Sequence, residues 1–196
     1  VWGDFFAVAD KIVCFSNSSK EILRTAYPSL PEEKIIVSPH KVEGFFPLKF
    51  VSKRGTLHIG VVGAINLHKG LEILKQMAKL LEEKNYDARI ILIGQASEAI
   101  SSNKLIVTGE YKREELPSLI KKHNISVVFI PSICSETFSF TTDEIMMMEL
   151  PLAVFDIGAP PERVRSYKKG LVIGKIDAAY ALEELLKFSK IVKKQA

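Results

Sequence analysis

Unbroken apolar runs such as "ARIILIG" (88–94) and "ISVVFIPS" (125–132) recur along this chain, with segments of helical period between them. A strand with one wet face alternates apolar and polar residues, whereas a strand without alternation is covered on both faces. Strands of that kind, separated by helices, predict a doubly wound α/β sheet of parallel strands. The helix over "HKGLEILKQMAKLLEEKN" (68–85) is the strongest of these segments. Leu74, Met77, Ala78 and Leu81 recur on one face at helical spacing.

The pattern divides in two. "DKIVCFS", the helical "SSKEILRTAYP" and "EKIIVSP" make one β-α-β unit. "HKVEGFFPLKFVSKRG" follows, with Gly, Pro, mixed charge and no period, and reads as a linker. A second series starts at Thr56 and runs to the terminal helix "AAYALEELLKFSKIVKK". Residues 1–47 therefore read as the remnant of one domain with its linker, and 48–196 as another. The residues before Asp10 already read as core, so the chain is expected to be a piece of something larger.

At 47% hydrophobic and 26% charged the composition is that of a globular protein. A chain this long buries roughly 70% of its unfolded surface and needs no disulfide or metal staple. Cys14 and Cys134 share no ligand-like spacing and are expected as reduced thiols, in a cytoplasmic protein without a metal site. No apolar run approaches the roughly 18 residues of a membrane span, and no signal peptide is visible. The net charge of +4 is a mild excess, and no nucleic-acid partner is expected. Lysines cluster in "SYKKG" and "KFSKIVKKQA". They suit a solvated helix end, or attraction to anionic lipid or an anionic ligand at the inner face of a membrane.

Ligands of such sheets bind beyond the carboxyl ends of the strands. "GAINLHKG" (63–70), "GQASE" (94–98), "TGEY" (108–111) and "SICSETFSFTTDE" (132–144) sit there. In the first, Gly63 allows a tight turn. The helix behind it offers free N–H groups to phosphate. Lys69 stands at that helix start, where a cation is unfavourable unless an anion offsets it. A plain α/β turn has the same appearance. In the last, Thr141 and Glu144 fit a capping box, which would occupy Glu144 without any ligand. Glu136 has no such employment. It stands beside Thr137 and Ser139, where a carboxylate accepts hydrogen bonds from vicinal sugar hydroxyls while the N–H groups of Thr137, Phe138 and Ser139 meet phosphate.

"PSICSETFSFTTDEIMMMELPLAVFDIGAPPE" resembles the donor-site signature of the retaining GT-B glycosyltransferases of group 1, family four, at Glu136, Phe138, Glu144, Pro151, Gly158 and Glu162. Gly63, Lys69 and Gly70 resemble the diphosphate loop of that family. "DKIVCFSNSSKEIL" and "KIIVSPHKVEGFFP" resemble the last β-α-β unit of its N-terminal domain and the interdomain linker. The resemblance implies a Rossmann-like, nucleotide-sugar-binding domain. It implies transfer of a hexose from a nucleoside diphosphate sugar to a glycan or lipid-linked acceptor, with retention and without a metal or other cofactor. Lys69 and the loop N–H groups would neutralise the departing diphosphate, Glu136 would hold sugar hydroxyls, and Glu144 the ribose. Gly63, Gly70, Thr137, Phe138 and Ser139 would complete the donor site, and Tyr111 would pack the nucleobase. The N-terminal GT-B domain is the implied partner.

Three positions depart from the pattern. Ser139 replaces a usual Gly, as in a subgroup similar to surface-polysaccharide transferases. Ala64 replaces a frequent Arg, for which Asn66 or His68 can substitute. Glu149 replaces a common Gly. Two other functions fit the same fold: a sugar-nucleotide epimerase, and a non-catalytic binding or scaffolding domain. His40, His58 and His123 read as structural.

Overall fold

A computed structural model of the protein describes residues 2–49 and 55–195, with side chains through residue 192. The lysines of 193–194 thus lie outside the described side chains. The N-terminal piece comprises α1 (Trp2–Val8), β1 (Ile12–Cys14), α2 (Asn17–Ala26) and β2 (Ile35–Val37). The larger piece runs β3 (Leu57–Ile65), α3 (Leu71–Glu83), β4 (Ala88–Ala96), β5 (Leu105–Val107), α4 (Leu116–Lys122) and β6 (Val127–Ile130). It continues with α5 (Phe140–Met147), β7 (Leu152–Phe155), α6 (Ala159–Val164), β8 (Gly170–Ile173) and α7 (Ala178–Gln195).

The larger sheet has the order β5-β4-β3-β6-β7-β8. Every neighbouring pair in it is parallel. Chain order reverses between β3 and β6, which is the topological switch point where such sheets bind ligands. The expected doubly wound fold is the observed one.

The unbroken apolar runs are explained by a core on each face. In β4, Ile90 and Leu92 pack with Leu74, Met77 and Leu81 of α3. Ile91 and Ile93, pointing the other way, pack with Leu116 and Ile120 of α4. Each such side chain, once buried, contributes about 1.5–3 kcal/mol. Phe45, in the segment read as linker, is 4% exposed and packs in the second of these clusters.

Three helices end alike. Asn85, Asn124 and Glu149 follow α3, α4 and α5 with φ of 46°, 51° and 55°. The next N–H then reaches back to the last turn: Tyr86 to the Leu81 carbonyl (3.2 Å), Ile125 to Ile120 (3.1 Å) and Leu150 to Ile145 (3.2 Å). This is the Schellman arrangement, with an apolar contact across the helix end. It explains why glycine suits position 149: the backbone there is left-handed.

The first residues, expected as core, are not core in this chain. Trp2, Phe5 and Val8 are 65%, 59% and 79% exposed. Among the described residues of α1, only Phe6 meets an aromatic ring outside the helix, Tyr27 at 5.0 Å. Among the described residues, no second layer covers that face of α1.

The N-terminal piece meets the larger one through α2. Ser16 caps that helix, accepting a hydrogen bond from the Ser19 N–H at 3.1 Å. Glu162 of α6 supplies the next acceptors: it takes N–H groups of Asn17 (3.0 Å) and Ser18 (2.6 Å), and the Asn17 amide at 3.2 Å. Burial pushes the Glu162 carboxyl up, but the hydrogen bonds from Ser18 and Asn17 outweigh it and hold it below the usual glutamate range. A depressed folded value stabilises the contact above the unfolded value of about 4.3, and the contribution fades as pH falls through the lower folded value. Amide NMR signals of Asn17 and Ser18 are therefore expected to titrate below pH ~4.3. Glu162→Gln should abolish that titration; its survival in the variant would assign it to another group.

Candidate functional site at the switch point

Two loops face each other beyond β3 and β6. In the first, Gly63 has φ of 112° and pairs with Gly94, φ 135°. A Cβ on Gly94 would lie 2.1 Å from the Gly63 carbonyl, so the two backbones meet without side chains. Asn66 closes the turn: its carbonyl and its Oδ1 each accept the Lys69 N–H at 3.0 Å. His68 is exposed, and its carbonyl accepts the Ile133 N–H at 3.0 Å and the Ser132 hydroxyl at 3.5 Å. Gly70, not Lys69, is the N-cap of α3, with φ of 85°. Asn66 and His68 thus build the loop and tie it to the 131–133 segment.

The second loop differs from expectation at Glu144. Ser139 is the N-cap of α5 and accepts the Thr142 N–H at 3.4 Å. No capping box joins Thr141 to Glu144, because the helix starts two residues earlier than the S/T-x-x-E pattern requires. Glu144 instead points inward, 6% exposed, with Oε1 2.6 Å from Nε of Arg113. Ser139 at the usual glycine position has a use of its own, as the cap.

Glu136 meets Lys69. The ammonium lies 2.6 Å from Glu136 Oε1, with side-chain exposures of 42% for the lysine and 7% for the glutamate. The two are at ion-pair distance but not aligned for a hydrogen bond, and Oε1 has no other partner among the described residues. Gly158, φ 72°, holds the glutamate in place: a Cβ there would come within 2.6 Å of the Glu136 nitrogen. The Ala159 N–H donates to the Glu136 carbonyl at 2.9 Å.

The remaining candidates divide. The N–H groups of Thr137, Phe138 and Ser139 donate to no group among the described residues. The Thr137 carbonyl accepts the Ser19 hydroxyl at 3.4 Å. The Phe138 ring is turned from the loop toward His40, at 5.1 Å, and His40 stacks on Phe15 at 3.9 Å. Tyr111 is half-buried against the second core cluster. Burial pushes its hydroxyl up, with a smaller contribution from the charge of Glu144. Its ring faces a different cleft, of about 410 Å³, shared with Glu110 and His123. His58 and His123 are joined to each other, ring nitrogen to carbonyl at 2.7 Å.

Two cavities carry the site. A space of about 120 Å³ is lined by Gly63, Ala64, Lys69, Glu136, Ser139 and Thr141. A wider cleft of about 640 Å³ is lined by Lys41, Val42, Glu43, Arg113, Phe140 and Glu144. The first is lined by a cation and a carboxylate, and the second by a buried carboxylate among mostly exposed groups. Arg113 is the site residue that sequence reasoning missed. It lies 31 positions from its glutamate, and no periodicity reports a pairing at that range. The same holds for Arg163, which pairs with buried Asp143.

Residues 47–195 match the family model described as glycosyl transferases group 1. The chain belongs to this family. Solved structures agree on the fold. A glycosyltransferase from Rickettsia africae superposes with a TM-score of 0.77 at 18% identity, over 98% of this chain and 59% of that one. S. aureus TarM gives 0.73 at 13% identity, over 94% and 39%. The C-terminal domain of a group 1 glycosyl transferase, LpcC from Francisella tularensis, gives 0.58 at 18%, over 76% and 89%. The chain thus spans less than two thirds of the first two, 39% of TarM and 59% of the Rickettsia protein. No curated protein matches it. The resemblance read from sequence is borne out: the six-stranded part has the Rossmann-like form of the C-terminal half of a GT-B glycosyltransferase. Among the described residues, no helix is long and apolar enough to cross a membrane.

Proposed function

We propose that this chain is the donor-binding part of a retaining hexosyltransferase of the surface-polysaccharide type. It takes a nucleoside diphosphate sugar and serves a glycan or lipid-linked acceptor held against an N-terminal GT-B domain, on the cytoplasmic side of a membrane. The reading rests on one observation: Lys69 and Glu136 meet across the switch point at 2.6 Å, beside unengaged N–H groups. In the reaction, the bond from the anomeric carbon to the diphosphate oxygen breaks, one to an acceptor oxygen forms, and the acceptor's hydroxyl proton passes to the departing diphosphate. Negative charge gathers on the diphosphate, where Lys69 and the N–H groups of Thr137, Phe138 and Ser139 oppose it without a resident metal. Preorganised charge of this kind is often the largest catalytic contribution. Glu136 accepts hydrogen bonds from sugar hydroxyls, and Glu144, in the wider cleft, from the ribose. The backbone around Gly63 and Gly70 shapes the remainder, while Tyr111 lies in the neighbouring cleft.

A thermal-shift panel of UDP, GDP, ADP and their sugars tests the reading. A ligand at 100 times its dissociation constant should add about 2.7 kcal/mol of stability. Glu144→Gln should weaken the best nucleotide by about 1.5–3 kcal/mol, the range for hydrogen bonds to a charged group. The absence of a shift across the panel, or equal affinity in Glu144→Gln, would remove the donor-site assignment or the ribose role respectively.

A further inference from the structure

Glu144 has two carboxylate oxygens with different fates. Oε1 faces Arg113 Nε at 2.6 Å, while Oε2 accepts no hydrogen bond among the described residues. Glu144 lines the wider cleft, so its uncommitted oxygen is the one left for a ligand there. Arg113 is itself held. Its Nη2 donates to the Glu43 carbonyl at 2.9 Å, and its guanidinium lies over the Phe45 ring at 4.5 Å. Phe45 is a core residue, 4% exposed. Gly44 passes beside the guanidinium with φ of 90°, where a Cβ would lie 3.6 Å from Nη1. The arginine is thus fixed by the 43–45 segment on one side and fixes Glu144 on the other.

This arrangement exceeds what stability asks of an ion pair. A half-exposed arginine contributes little through charge alone, yet here a planar donor set is held by a carbonyl, a ring and a carboxylate at once. A planar guanidinium transmits orientation in a way a lysine ammonium does not. A carboxylate that must accept from two vicinal hydroxyls gains affinity when its rotamer is set beforehand, since ordering it on binding opposes binding.

We propose that Arg113 is a positioning residue for nucleotide recognition, holding the Glu144 carboxylate toward the ribose and coupling it to the 43–45 segment that leads in from the N-terminal piece. The proposal rests on the ribose role of Glu144 given above.

Calorimetric titration with UDP, GDP and ADP, each beside its 2′,3′-dideoxy form, tests it. The protein with intact Arg113 and Glu144 should prefer the ribose form roughly 10- to 100-fold. Arg113→Gln should reduce that preference to within a few-fold, by lowering affinity for the ribose form far more than for the dideoxy form. Arg113→Lys should give an intermediate preference, because one ammonium cannot serve Glu144 and the Glu43 carbonyl together. The double variant Arg113→Gln with Glu144→Gln should show no smaller ribose preference than Glu144→Gln alone. A retained ribose preference in Arg113→Gln overturns the proposal, as does an equal loss for ribose and dideoxy forms. If Arg113→Gln does not fold, Arg113→Lys decides in the same way, full preference overturning the role. If Glu144→Gln itself keeps the preference, the ribose role falls first and this proposal with it. Loss in Glu144→Gln but not in either Arg113 variant sinks this proposal alone.

Discussion

Replacing Lys69 with alanine is expected to slow sugar transfer by the whole enzyme roughly 100-fold or more, comparable to losing one preorganised donor at a developing anion. It should also lower the melting temperature. On helix-dipole grounds alone the stability effect has the opposite sign, since a cation at a helix start is unfavourable. The structure reverses it. Gly70 caps α3, and Lys69 lies before the helix with Glu136 as its anion. Truncating the lysine leaves a carboxylate that is 7% exposed without a partner. Such an orphan costs about 1–3 kcal/mol, and the half-exposed lysine places this case near the low end. A second change separates the two effects. Lys69→Ala combined with Glu136→Gln should regain stability and stay inactive. Affinity for nucleoside diphosphate should fall in Lys69→Ala, and added salt should weaken the parent protein more than the variant. Ala64 is exposed and carries no charge, so under the proposed donor role Lys69 is expected to bear more of the diphosphate's charge. Equal diphosphate affinity in the two proteins across a range of salt would make the loop an ordinary α/β turn.

Much of the fold was legible because its signals are local and redundant. Unbroken strands require cover on both faces, and Leu74, Met77, Ala78 and Leu81 lie buried where helical spacing puts them. What stayed illegible is set by distant neighbours. The S/T-x-x-E pattern at Thr141 is a valid capping signal, yet Ser139 competes for the same role two residues earlier and wins. Once the cap moves, Glu144 turns inward to an arginine that no sequence window contains. The unfavourable cation at Lys69 was a sound local inference with an incomplete ledger of charges: the offsetting anion, Glu136, is 67 residues away in the chain and 2.6 Å away in space. Asn85 and Asn124, placed right after α3 and α4, were readable as left-handed helix ends. Glu149 was readable only as an anomaly until its φ of 55° explained the glycine preference. The apolar residues of α1 misled for a simple reason. Apolar character predicts burial only when a second layer lies within reach.

Gly70→Ala is expected to be among the most damaging one-carbon changes in the site, at about 2–5 kcal/mol from two separable sources. Its φ of 85° strains any residue with a Cβ, by about 1–2 kcal/mol. The new carbon would also stand 2.1 Å from the Pro131 carbonyl oxygen and 2.8 Å from its carbon, so backbone must move. That backbone is not free to move. Ile133 and Ser132 are bonded to the His68 carbonyl, two residues before Gly70, so shifting one loop drags the other. Gly63→Ala provides the comparison. Its φ of 112° is also left-handed, but a Cβ there meets nothing within 4 Å, so only the conformational strain applies. Urea unfolding of the two variants should therefore separate by the packing part, about 1–3 kcal/mol. The functional consequence follows from the same contacts. Pro131 begins the segment that carries Glu136, and a shift of that segment pulls the carboxylate from Lys69. Gly70→Ala should lose nucleotide affinity even where it remains folded. Equal unfolding midpoints for the two variants would mean that the loops yield to each other easily, and that the Lys69–Glu136 geometry is not held by this bolt.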